Sequence, residues 1–382
     1  MRWLDTLAVG IYVLNVTNSP LAVSLILFLR TIPMFLFGVL AGAITEKIDR
    51  RVLLLSVLAL LATSYTTLTI LTLTDNLRVW HLGVGVFILG LYFAIELPTR
   101  RTMIADIAGI PRIGAAMGLE STTNNFTRMI GPFAGGLLFE IFDIAGTQAL
   151  GGALYVASFA LILSAGYTKR EPSENPGGTK PSVASDIMEG LRYVANNRAV
   201  AATLVVTVVL NIFGFSYITM VPVIAQKVLG LTAFPTGILM SAEGLGAMLG
   251  AMSVAFLAKP HRFNQVYISG ALLFATCIVM FSLSTSFWLS LSVLCLGGLG
   301  VSGFGAMQAT LIVSNTAPEM RSRIMGVLAM AIGAQPIGVL TIGFLAEHLG
   351  PSIGVMVSGA AGVLAVLTCA LIWPEMRRKR VV

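Results

Sequence analysis

Residues 352–373 read SIGVMVSGAAGVLAVLTCALIW, with no charged side chain among them. As a helix rising 1.5 Å per residue this run is about 33 Å long, enough to cross about 30 Å of hydrocarbon. No water reaches backbone groups at that depth, so the run must satisfy its own N–H and C=O groups and is helical. Working outward from it, comparable runs recur at 1–16, 20–43, 52–73, 79–98, 114–139, 147–167, 199–221, 234–257, 266–284, 287–312 and 323–347. That is twelve spans, the first of them short. Only 11% of the 382 residues are charged and 56% are hydrophobic. Soluble domains carry about a quarter charged residues, so lipid rather than an aqueous core must cover much of this surface.

The charges that remain are informative by position. The net charge of +7 does not indicate nucleic acid, because Lys and Arg sit in short loops between apolar runs and form no basic stripe. With the amino terminus on the cytoplasmic side, 19 Lys and Arg fall in cytoplasmic loops and the carboxy-terminal tail. Only Arg78 and Lys227 fall outside, and Arg2, Arg30 and Arg128 lie within spans. This asymmetry predicts a multi-pass protein of the bacterial inner membrane with a cytoplasmic carboxy terminus. Trp80 and Trp288 at outer span ends and Trp373 at an inner one fit interfacial anchors. Cys277, Cys295 and Cys369 lie inside apolar runs and read as small buried hydrophobes, with no metal site or disulfide.

The one long loop, 168–198, divides the chain. KREPSENPGGTKPS (169–182) is a polar, Pro- and Gly-rich linker. After it, Ile187, Leu191 and Val194 share a face opposite Asp186, Glu189 and Arg192, which predicts an amphipathic helix on the inner membrane surface, capped by Ser182 or Ser185. The expected organisation is a six-helix bundle at 1–167, a cytoplasmic linker at 168–198 and a second six-helix bundle at 199–382. Shifting the chain by 208 positions aligns Met117 with Met325, Gly118 with Gly326, Gly135 with Gly343, Gly146 with Gly354 and Gly151 with Gly359. Span five thus matches span eleven without a gap, as a duplicated unit requires. Parallel repeats of this kind place a substrate site near the midplane, between the halves.

Ionisable groups inside spans cost about 2.5–3.5 kcal/mol each on insertion scales. Counted from the outer span ends, Asp5 lies about 18 Å deep, Arg30 about 15 Å, Arg128 about 16 Å and Glu243 about 14 Å. The four share a plane, and spans three, six, nine and twelve carry no charge in their middles. A central cavity lined by the charged spans follows, with Asp5 paired to Arg30 and Glu243 answering Arg128 from the other half. These are either static ion pairs or carboxylates that take and release a proton during a cycle. Asn124, Asn125, Asn211 and Gln335 are uncharged mid-span groups that either contact substrate or bond neighbouring helices. Gly38 with Gly42, Gly131 with Gly135 and Gly246 with Gly250 are GxxxG pairs that let helices approach closely.

Two motifs carry a resemblance. GAITEKIDRR (42–51) resembles the signature loop between helices two and three of the major facilitator superfamily, with Gly42, Glu46, Lys47, Arg50 and Arg51 at its positions. Glu46 replaces the usual Asp, and Asp49 stands where many members have Gly. The IDRR ending is closer to the subgroup called transmembrane secretion effectors, which includes siderophore and macrolide exporters. Span five is similar to the antiporter motif, with Gly118, Gly131, Pro132, Gly135 and Gly136 in place and Thr127 where the pattern has Gly. The resemblance implies an all-α membrane protein of two pseudo-symmetric six-helix bundles, with Glu46 against the amino terminus of span eleven and Arg50 and Arg51 near Glu96 or Asp106. Relatives begin with a longer first helix, so residues are expected upstream of Met1, or else Arg2 snorkels to a thinned interface.

The expected function is a monomeric secondary transporter without cofactors, acting on a small-molecule substrate and coupled to protons. It would export amphiphilic compounds of drug or siderophore type by alternating access. An importer, a transporter of lipid-like substrates and a non-transporting sensor or scaffold are the alternatives. No HExxH, phosphate-binding loop or GxSxG turn points to an enzyme.

Overall fold

The computed structural model describes residues 1–47, 49–164, 183–257 and 259–376, and among them every regular element is helical. Thirteen α-helices follow in chain order. They are α1 (Arg2–Thr17), α2 (Pro20–Lys47), α3 (Arg50–Leu73), α4 (Val79–Ser164), α5 (Val183–Asn196), α6 (Arg198–Val209) and α7 (Val221–Lys227). Then come α8 (Ala233–Leu257), α9 (Phe263–Leu283), α10 (Phe287–Asn315), α11 (Arg321–Ile332), α12 (Gln335–Leu349) and α13 (Pro351–Ile372). Among the described residues, ten stretches are long and apolar enough to cross a membrane. One of them, Gly118–Ser164, is a double crossing, and α1 completes the expected twelve.

Helix α4 holds spans four, five and six as three legs, reversed at Gly109 (φ 66°) and at Asp143 (φ 55°). Glycine reaches positive φ without a Cβ penalty. Asp143 holds it with help from its own carboxylate, which accepts from the Ile144 N–H at 2.7 Å. The polar connection expected near 99–113 is therefore helical, apart from its turn.

Two spans of the second half are broken at mid-depth where uninterrupted helices were expected. Span seven passes from α6 into a π-turn at Leu210–Gly214 and a 3-10 turn at Phe215–Thr219 before α7. There Asn211 donates to the Thr207 carbonyl at 2.9 Å and the Ser216 hydroxyl to the Ile212 carbonyl at 2.7 Å, so side chains compete for the backbone ladder. Span eleven breaks between α11 and α12 because Pro336 has no N–H and its ring would meet the Ile332 carbonyl.

Within the first half, α1, α2 and α3 all pack on α4; within the second, α8 and α9 pack on α10, and α13 on α9. The halves meet where α4 lies on α8 and α2 on α12, with α1 against α7. Helix α1 is enclosed by protein, Leu4 through Gly10 being buried, so a 16-residue helix need not match the bilayer thickness. Helix α5 lies where the amphipathic linker helix was expected and docks on α11: a Cβ on Gly190 would stand 3.0 Å from Val327, and Arg323 meets Glu189 at 3.1 Å.

Candidate functional site

The close approach of α4 and α8 builds the centre. Gly244 lets the helices touch, since a Cβ there would lie 2.8 Å from the backbone N of Met129. One residue away on each helix, the Arg128 guanidinium meets the Glu243 carboxylate at 2.6 Å across the boundary between the halves. The side chains are 14% and 3% exposed, so this is a buried ion pair whose loss of one partner strands the other charge.

Around it stand further polar groups. The Arg128 guanidinium carbon lies 5.0 Å from the Trp3 ring centroid, and Arg2 lies 5.0 Å from the rings of both Trp3 and Phe93. Two buried donors in this cluster, Arg128 Nε and Trp3 Nε1, have no hydrogen-bond partner among the described residues. Asp5 and Arg30 are both buried, and Asp5 shares its surroundings with Arg30, Tyr65 and Tyr155. The expected Asp5–Arg30 ion pair is not among the ion pairs of the described residues. Arg30 Nη1 donates instead to the hydroxyl of Thr6, the next residue along α1, and Asp5 Oδ2 is buried without a partner among the described residues.

The uncharged candidates divide. Asn124 is exposed and Asn125 half-buried on the second leg of α4, where residues 121–124 are exposed all round the helix. Asn211 is buried and occupied by Thr207, and Gln335 is half-buried at the α11–α12 break. In the span-five motif, Gly131 admits Trp3, and Gly135 admits the backbone of Leu4. A Cβ on Gly136 would stand 2.6 Å from the Ala233 carbonyl, so this glycine sets the α4–α8 contact. The Thr127 hydroxyl bonds locally to the Asn124 carbonyl at 2.9 Å, Pro132 is buried, and Gly118 faces open space.

The side chains of Glu46, Lys47 and Arg50, like Gly42 and Asp106, lie outside the described residues. Arg51 does not meet Glu96: its Nη2 donates to the Leu163 carbonyl at 2.5 Å, at the carboxy-terminal end of α4, where a cation is favoured. Glu96 pairs with Arg100, and Glu120 holds Arg100 at 3.0 Å and Arg101 at 3.2 Å. Asp49 caps α3, accepting from the Arg51 N–H at 2.8 Å.

Cross-half polar contacts among the described residues lie at mid-depth or on the face opposite the basic loops. On that sparsely charged face Glu347 accepts from the Ser19 hydroxyl at 2.8 Å and from the Leu21 N–H at 3.0 Å. Glu140 accepts from the Phe234 N–H at 3.1 Å, and the Lys227 ammonium donates to the Asn18 carbonyl at 2.7 Å. Toward the basic face, Leu119, Phe126, Met330 and Ile332 are exposed. Among the described residues, the polar ties between the halves are thus the central ion pair and these contacts on the sparsely charged face. The sequence reading missed Glu140 and Glu347; their signal is an acid in the last turn of its own helix, where the helix dipole disfavours it.

The family profile for transmembrane secretion effectors matches residues 2–379. The chain is 21% identical over 359 residues to the staphyloferrin A transporter of Staphylococcus aureus, covering 91% of this chain and 87% of that protein. It is 19% identical over 375 residues to macrolide efflux protein A of Streptococcus pyogenes, covering 96% and 91%. Among solved structures it is similar to nucleoside transporter NupG, with a TM-score of 0.75, 11% identity and coverage of 99% and 98%.

Proposed function

Because this chain belongs to the transmembrane secretion effector family of the major facilitator superfamily, we propose that it is a secondary exporter moving small amphiphilic compounds out across the bacterial cytoplasmic membrane in exchange for protons. The observation that carries the reading is the Arg128–Glu243 ion pair, buried and bridging the two halves. Proton entry at Glu243 would release Arg128 and loosen the boundary between the halves at its centre. Asp5 is a second proton acceptor in the same half as Arg30 and Arg128.

Arg2, Arg30 and Arg128 outnumber Asp5 and Glu243 around this centre, and Arg128 Nε and Trp3 Nε1 are donors without a partner among the described residues, beside aromatic faces. These features favour a substrate with an apolar or aromatic body and an acidic group. The ties between the halves on the sparsely charged face support a cytoplasmic-facing state of an alternating cycle.

Transport by inverted vesicles under an imposed proton gradient tests the reading. Wild-type vesicles accumulate substrate and dissipate the gradient; Glu243→Gln and Asp5→Asn vesicles do so at least about ten-fold more slowly, as a lost proton-transfer group requires. Transport untouched by both substitutions rules out the proton sites.

A further inference from the structure

We infer that Glu140 and Glu347 are a pair of positioning residues for the transport cycle: each caps a helix of the opposite half, and together they hold the sparsely charged face shut. The inference rests on the alternating-access reading and goes beyond the central ion pair.

The two contacts share one geometry. Glu140 lies in the last turn of the second leg of α4, and Glu347 in the last turn of α12; these are the repeat-related spans five and eleven. Helix α8 begins at Ala233 and helix α2 at Pro20, so Phe234 and Leu21 are each the second residue of a helix. Each carboxylate therefore accepts the second N–H of the facing helix, at 3.1 Å and 3.0 Å. Both N–H groups belong to the set a helix cannot satisfy internally. Glu347 also takes the hydroxyl of Ser19, which itself accepts from the Ala22 N–H at 3.1 Å, so the α2 cap is shared between the halves.

Electrostatics gives the contacts a direction. At the carboxy-terminal end of its own helix, a carboxylate is repelled by the helix dipole; against the amino terminus of another helix it is attracted. The repulsion is there in either state, so it is the attraction to the facing helix that favours the closed outer face and that separating the halves loses. Gly136 opposite Ala233 and Gly343 opposite Ser24 bring the backbones close enough for this reach. Lys227 on Asn18 is a third tie on the same face, and with His348 it is a charged or titratable group acting on Glu347.

The test uses the full chain in lipid nanodiscs, with Cys277, Cys295 and Cys369 replaced by Ala. One spin-label pair sits on the outer face at Asn76 and Thr285, and a second on the basic face at Arg112 and Glu319. Substituting E140Q or E347Q keeps side-chain length and removes the charge. Each is expected to raise the ratio of outer-open to outer-closed distances by about two- to five-fold, and the double variant by about ten-fold, from the size of exposed charge–dipole effects. The inner pair must shorten in the same proportion, which simple loosening of the outer face would not produce. Unchanged distance distributions in both single variants, or outer broadening without inner shortening, overturn the proposal. Because distances are read without substrate or proton gradient, failure here is separate from failure of the vesicle transport assay.

Discussion

At the scale of single residues, the Arg128–Glu243 contact is where stability and mechanism can be told apart. Glu243→Gln leaves Arg128 buried opposite a neutral group, and the expected loss is about 3–5 kcal/mol, read as a lower thermal midpoint in detergent. Replacing both residues by Leu removes the stranded charge and should recover most of that midpoint, because a buried pair is often no more stable than an apolar one. Transport should not recover with it. A double variant that regains both would make the pair a helix fastener only. The four charged positions were legible because charges at mid-span are costly and rarely idle. Their partners were less legible. Arg30 reaches Thr6 rather than Asp5, a choice set by rotation about α1, which depth along the helix does not encode. Arg51 turned to a helix terminus and not to Glu96, because Glu96 already had Arg100 one turn away on its own helix.

Among elements, hydropathy located the crossings but not their interruptions. The run 199–221 is apolar on average, yet the structure puts a π-turn and a 3-10 turn inside it. The cause is a set of short polar side chains that bond back to carbonyls within one turn, a local competition that mean hydropathy does not register. Pro336 was a visible breaker in span eleven, hidden only by the length of the run around it. Helix contacts are set by glycine. Gly136→Leu must drive α4 from α8, since even a Cβ falls 2.6 Å from the Ala233 carbonyl. Overpacking of this kind costs about 1–3 kcal/mol, and reduced yield of folded protein on size-exclusion chromatography is the expected outcome. Gly118→Leu, at a position with open space around it, should leave the yield unchanged.

For the molecule as a whole, the duplicated plan follows from one matching register and twelve apolar runs, whereas the face that carries the polar ties between the halves required coordinates. Thr123 lies in the stretch exposed all round its helix, and Ser24 is buried beneath α12. A membrane-impermeant maleimide should therefore modify Thr123→Cys in inverted vesicles and not in right-side-out ones. Ser24→Cys should resist from both sides until E140Q and E347Q are combined with it. The two halves also differ in their interior continuity. Span five runs unbroken from 110 to 142 and α1 from Arg2 to Thr17, but their repeat counterparts eleven and seven are segmented at 333–334 and 210–219. Resistance to bending is thus unequally shared: strain from a bound cargo will concentrate in the second half, while the first pivots with little internal change. Amide deuterium uptake should accordingly be fastest, within the lipid-embedded backbone, at 210–219 and 332–336, and slow along 5–14 and 131–139.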